Sequence, residues 1–196
     1  PSSDVQSAAA EAISIHGNEA VTCFKSSILN LLRRPEPGMQ KIAVQAIAKY
    51  SEHQRSERNR EGGDPDIVSP LRKLLYQSSN DEQIRTLLSV LGNLGYAEYF
   101  QDLENFYTDP NPRIQENVLT MMRFGTPFSE RKKALPYFNQ SLQSPHNNVR
   151  YAAVAGVNRL GDKSHIDCLK NRLKTEKQPS LQKFVKETIS RLEQKQ

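Results

Sequence analysis

Histidine, cysteine and the carboxylates are the side chains with which a chain of this size would do chemistry. The sequence holds four histidines, His16, His53, His146 and His165, and two cysteines, Cys23 and Cys168. A zinc site needs such ligands at short spacings, as in His-Glu-x-x-His or paired Cys-x-x-Cys runs. No set of that kind occurs, and no metal site is expected. His16 and Glu19 are three apart, but Gly17 and Asn18 break any helix between them, so His16 reads as a helix-terminal residue. There is no Gly-x-Ser-x-Gly elbow, no phosphate-binding loop and no dinucleotide fingerprint. No nucleophile–base pair can be argued from spacing. The chain is therefore read as a non-enzyme with no cofactor, and its chemistry as recognition.

Charge is what recognition has to work with. The net charge of +5 is spread unevenly. Residues 1–60 carry 8 Lys/Arg against 6 Asp/Glu, residues 61–110 carry 3 against 9, and residues 111–196 carry 16 against 7. The C-terminal half would suit an acidic protein, a nucleic acid or an anionic lipid surface. The plainer reading is a solvated lysine-rich surface.

The elements that would position these charges are helical. Apolar residues recur at helical rather than alternating spacing. Val149 is followed 3, 4, 7 and 8 places later by Ala152, Ala153, Gly156 and Val157. The same comb begins at Val5 (Ala8, Ala9, Ala12, Ile13), at Met39 (Ile42, Ala43, Ala46, Ile47) and at Ile84 (Leu87, Leu88, Leu91, Gly92). It begins again at Ile114 (Val118, Met121, Met122, broken by Asn117) and at Leu181 (Phe184, Val185, Thr188, Ile189). The anchors lie 34, 45, 30, 35 and 32 residues apart, which marks a repeat array. The residue after each anchor is Gln6, Gln40, Arg85, Gln115, Arg150 or Gln182. A long planar donor at that place is expected to bond the preceding turn, repeat after repeat.

Between the combs lie a second set of apolar-periodic segments, such as "DIVSPLRKLLY" and "RKKALPYFNQSL". Asn80 with Gln83 reads as a helix cap, Pro112 as a first-turn residue, and "LGNLG", "RFG" and "RLGD" as stops. Pro136 is expected to kink its helix. The segment 51–65, "SEHQRSERNREGGDP", has no apolar residue and reads as a flexible charged loop that stretches one repeat to 45 residues.

On "NNVRYAAVAGVNRLGD", "DEQIRTLLSVLGNLG" and "NPRIQENVLTMMRFG" the sequence resembles the HEAT-repeat family, particularly its short bacterial HEAT-like kind. The resemblance covers nearly the whole chain. It implies an all-α superhelical solenoid of about 11 helices in six repeats, a single domain over 1–196, whose second helices line a concave face. Solenoids of this kind are mostly binding surfaces. HEAT-like hydroxylases use His-Glu dipeptides, whereas here the order is Glu52-His53. HEAT-like DNA glycosylases are basic and use aromatic and acidic groups; this chain has no Trp and an acidic middle. A HEAT-like lyase is a further enzyme comparison.

Within each comb, positions 2, 6 and 9 face away from the core stripe. They include Lys41 and Gln45; Thr86, Val90 and Asn93; Glu116, Thr120 and Arg123; Tyr151, Ala155 and Asn158; Lys183 and Glu187. Arg and exposed aromatics are the usual interface anchors. Arg123 and Tyr151 are therefore the expected anchors, with Asn93, Thr120, Asn158 and Lys183 around them. The first reading is a non-catalytic scaffold binding a protein or peptide in the concave groove. The second is nucleic-acid binding through 111–196. No apolar run would span a membrane, and the first residues do not read as a signal peptide, so a cytoplasmic setting is expected. Cys23 and Cys168 fall four repeat steps apart, on the order of 35 Å at helix spacings of ~8–10 Å, too far for a disulfide.

Overall fold

The computed structural model describes residues 25–34, 36–56, 63–125 and 131–195, and all regular structure among them is helical. The helices are α1 (25–32), α2 (Pro37–Ser56), α3 (Pro65–Gln77), α4 (Asp81–Leu94), α5 (Tyr99–Tyr107), α6 (Pro112–Phe124), α7 (Leu135–Ser141), α8 (Asn147–Leu160), α9 (Ile166–Thr175) and α10 (Pro179–Glu193). Short 3-10 turns, Arg131–Ala134 and Lys163–His165, lead into α7 and α9. The five even-numbered helices are the combs from Met39 onward. The comb at Val5, with Gln6, His16 and Cys23, lies outside the described residues.

The residues form two compact units, 1–99 and 100–196. In the first, α2 packs on α4 and α3 packs on α4. In the second, α8 lies against α6, α7 and α10, and α9 against α10. The combs explain this packing. Ala43, Ala46 and Ile47 of α2 are buried, as are Ile84, Leu87, Leu88 and Leu91 of α4. In α8, Val149, Ala152, Ala153 and Val157 are buried as well.

Small comb residues admit an aromatic ring from a neighbouring helix. A Cβ on Gly92 would meet the Tyr99 hydroxyl at 2.5 Å, and that hydroxyl donates to the Leu88 carbonyl at 2.6 Å. A Cβ on Gly156 would collide with the Phe138 ring. Two residues placed on the outward stripe are instead buried: Val90 is 2% exposed and Ala155 7%. Ala155 belongs to a helix with neighbours on three sides, so its inward arc is wider than the 0, 3, 4, 7, 8 comb allows.

Four of the five described donors after the anchors do what their spacing predicts. Nε2 of Gln40 donates to the Arg34 carbonyl at 2.8 Å, that of Gln115 to Asp109 at 2.7 Å, and that of Gln182 to Glu176 at 2.6 Å. Nη1 of Arg150 donates to Ser144 and Pro145, at 3.0 Å each. Gln40, Gln115, Arg150 and Gln182 thus each reach back six residues, fixing where the outer helix ends relative to the comb helix. Such a bond is worth about 1 kcal/mol net. Arg85 departs from the pattern: its Nε is buried with no partner. The turn before α4 is closed otherwise. Asn80 Oδ1 accepts from the Gln83 amide at 2.9 Å, and the Ser78 hydroxyl donates to Gln83 Oε1 at 2.9 Å.

Helix ends follow the sequence with two corrections. Asn111 caps α6 ahead of Pro112, and Gly95 ends α4 at φ 71°, a conformation open to glycine. Pro136 kinks nothing. The 3-10 turn over 131–134 comes first, so the proline stands in the first turn of α7, where its missing N–H costs no helix bond. The expected loop at 51–65 is also shorter. α2 runs on to Ser56, with Ser51 fully buried and its hydroxyl on the Ala48 carbonyl at 2.7 Å. Polar residues such as Glu52, Gln54 and Arg55 propagate a helix well. A lack of apolar residues is therefore not by itself a break in the helix.

Candidate partner-binding face of the second unit

In the second unit α6, α8 and α10 lie in succession, α8 touching both others. Five of the expected site residues stand on these helices: Thr120 and Arg123 on α6, Tyr151 and Asn158 on α8, Lys183 on α10. Asn93 is not among them. It sits on α4 in the first unit, where its amide donates to Ser51 Oγ at 3.4 Å.

Tyr151 is 51% exposed, a large aromatic at the surface. Its ring stacks on Phe184 of α10, centroids 4.9 Å apart and planes 29° apart. Phe184 was a comb position, expected to point inward. It is only half-buried and turns to meet Tyr151. The pair forms a rigid apolar platform with one ring facing outward.

Arg123 lies in the last turn of α6, with its guanidinium carbon 4.1 Å from the centre of the adjacent Phe124 ring. Arg159 of α8 reaches the same ring at 4.8 Å. Two guanidiniums therefore share one aromatic, within about 9 Å of each other. Burial pushes the Arg123 pKa down from its ordinary value, the charge of Arg159 adds to the fall, and Tyr151 opposes it. Neither arginine has a carboxylate partner among the described residues, and Nε of Arg123 is buried without a hydrogen bond. One helix further, Arg191 of α10 donates to Asn158 Oδ1 at 2.6 Å, and Lys195 donates to the Gly161 carbonyl at 2.6 Å. Lys183 is exposed and pairs loosely with Glu187 at 3.9 Å. Thr120 is half-buried.

Phe124, Arg159 and Arg191 were not singled out in the sequence, and Phe184 was placed only as a core position. A signal existed: Arg123, Arg159 and Arg191 each fall in the last turn of successive comb helices. That recurrence is ordinarily read as favourable interaction with the helix C-terminus. The dipole accounts for a cation at each end. It does not account for two cations on one ring.

The unit's other strong charge cluster is structural. Glu176 is buried and accepts from Arg150 Nε at 2.8 Å and Nη2 at 2.9 Å, and from Arg172 Nε at 3.1 Å. The amides of Lys177 and Gln178 donate to it at 3.0 Å each. Foremost the Arg150 hydrogen bonds hold its carboxyl down at about 2. In the first unit, a cavity of about 320 Å³ opens between α2 and α4, its wall including Lys41, Gln45, Glu82 and Thr86. Lys41 and Glu82 give it both signs of charge.

No protein-family model matches the chain, and no curated protein matches it in sequence. Among solved structures it is similar to a designed armadillo repeat protein, with a TM-score of 0.58, 20% identity, and coverage of 98% of this chain and 95% of that one. It is also similar to an engineered protein, with a TM-score of 0.59, 18% identity, and coverage of 97% and 89%. At these identities the likeness is one of fold. The chain is all-α, of the helical-repeat solenoid class, and the comparisons do not single out the HEAT type. Among the described residues no helix is long and apolar enough to cross a membrane.

Proposed function

We propose that the chain is a non-catalytic interaction module of HEAT-like type that binds a protein or peptide segment across α6, α8 and α10. The observation that carries this is the outward-facing Tyr151, stacked on Phe184 and set beside guanidiniums that no carboxylate among the described residues neutralises. Interfaces draw their energy from such rigid aromatic and arginine anchors, ordered before the partner arrives. The test is selection of peptides from a random display library on the immobilised protein, followed by affinities for the double variant Arg123→Ala, Tyr151→Ala. Loss of two anchors at about 2 kcal/mol or more each predicts at least a tenfold drop, with unchanged helicity. A selection that enriches no peptide, or peptides that bind the double variant equally well, refutes the reading.

The charge of 111–196, 16 basic residues against 7 acidic, supports nucleic-acid binding as a second reading. Affinity for random duplex DNA that falls steeply with salt, and exceeds that for every selected peptide, would favour it.

A further inference from the structure

We propose that Arg123, Phe124 and Arg159 form a seat for a carboxylate, and that its occupant is an acidic segment of a partner protein lying across the last turns of α6, α8 and α10. This rests on the binding-module reading and names the partner's chemistry.

Three observations converge. Four other cations of the unit are answered by carboxylates: Arg150 and Arg172 by Glu176, Lys170 by Glu193 at 3.5 Å, and Lys183 by Glu187. Among the described residues, Arg123 and Arg159 meet a ring and no carboxylate. A ring face orients a guanidinium and attracts it without cancelling its charge. Two like charges within about 9 Å repel, and burial raises the cost for Arg123, whose Nε still lacks an acceptor. A carboxylate between them relieves both costs, because a guanidinium offers paired N–H donors that match its two oxygens.

The strip continues past the seat. Arg191 and Lys195 carry the positive charge on to the end of α10. Neighbouring helix axes stand about 8–10 Å apart, and an extended chain advances about 3.3 Å per residue. An acidic residue at every third position of a partner strand would therefore meet successive helices. The Tyr151–Phe184 platform lies on two of the same helices, ready for an apolar side chain of that strand.

Nucleic acid fits less well. Glu116 stands on α6, its carboxylate accepting from Asn148, and Glu187 stands exposed on α10, so the three helices do not form an unbroken positive track.

Fluorescence anisotropy tests the seat. The probes are a fluorescein-labelled peptide of about twelve residues with Glu at every third position and a central Tyr, the same peptide with Gln for Glu, and labelled oligothymidylate of matched length, all near 0.1 M salt. The Glu peptide is expected to bind at least about tenfold more tightly than the Gln peptide. Arg123→Gln with Arg159→Gln should remove that preference. Lys163→Gln with Lys174→Gln, which deletes equal charge at exposed sites elsewhere, should leave it within about twofold. If the arginine variant fails to fold, the Glu-against-Gln comparison on the parent protein decides alone. Equal affinity for both peptides, no binding of either, or tighter oligothymidylate binding that displaces the Glu peptide each overturns the seat. Equal peptide affinities lost in Tyr151→Ala overturn the seat while sparing the binding module. The module itself falls only if the display selection is empty or insensitive to Arg123 and Tyr151.

Discussion

Replacing Glu176 by Gln should cost the second unit about 3 kcal/mol. The carboxylate is 4% exposed as a residue, and Arg150 is 6% exposed, so the pair is effectively out of water. Gln keeps the volume and one acceptor oxygen but turns a donor toward a guanidinium. Breaking a buried pair by removing one partner costs roughly 3–5 kcal/mol. The lowered pKa points the same way. A carboxyl held at about 2 against an ordinary 4.5 is 2.5 units of preference for the ionised form. At about 1.4 kcal/mol per unit this is roughly 3 kcal/mol. Water in the adjoining cleft of about 550 Å³, lined by Arg150, Arg172 and Glu176, trims both figures, so the low end is expected. The folded pKa lies below the unfolded one. This contribution is therefore complete above about pH 4.5 and is lost as pH falls through about 2. Thermal unfolding followed by circular dichroism at 222 nm should show Glu176→Gln melting about 6–12 °C below the parent at pH 7. The gap should close as both are titrated from pH 5 to pH 2. Glu193→Gln, in an exposed pair with Lys170, should move the midpoint by less than about 2 °C. Glu176→Gln melting within 2 °C of the parent at pH 7, or a gap constant down to pH 2, would refute the assignment of this charge as the clasp between α8 and the turn before α10.

Gly92→Ala and Gly156→Ala should each cost about 1–3 kcal/mol in urea titration, because the added carbon meets the rings of Tyr99 and Phe138. Gly38→Ala, with open space around it, should cost nothing or stabilise slightly. Gln115→Ala should lose about 1 kcal/mol by removing the bond to the Asp109 carbonyl; an unchanged urea midpoint would show the repeated donor to be ornamental. Ala153→Asp, which buries a charge at a fully enclosed position, should prevent cooperative melting, while Lys183→Ala should leave it within about 1 °C. Tyr137 donates to Glu104 and has its pKa raised to about 12, chiefly by that bond. Its folded pKa exceeds the unfolded one, so its contribution is present below about pH 10 and lost as pH rises toward 12. Tyr137→Phe should flatten the fall in urea midpoint between pH 9 and pH 11.

How much of this was legible in the sequence follows from the range of each interaction. The combs were legible because burial repeats with the helix period, and the turn donors because they act over six residues of the same chain. Asn80, Asn111 and Gly95 are local in the same sense. What escaped depends on neighbours distant in sequence. Val90 and Ala155 lie on the outward arc of their own helices but are buried all the same. Phe184 was placed inward by a period that knows nothing of Tyr151, 33 residues earlier. Arg159 looked like a helix-end cation until Phe124 of another helix appeared beneath it. The proposed seat is made entirely of such cross-helix relations, which is why the sequence indicated Arg123 and Tyr151 singly and missed what joins them. The same reasoning separates the two arginine clusters of this unit. Arg150 and Arg172 close on Glu176 and spend their hydrogen bonds within the fold, so their loss should appear as stability. Arg123 and Arg159 close on a ring that accepts no hydrogen bond of comparable strength. On the proposed seat their guanidinium donors would serve a partner, so their loss should appear as affinity.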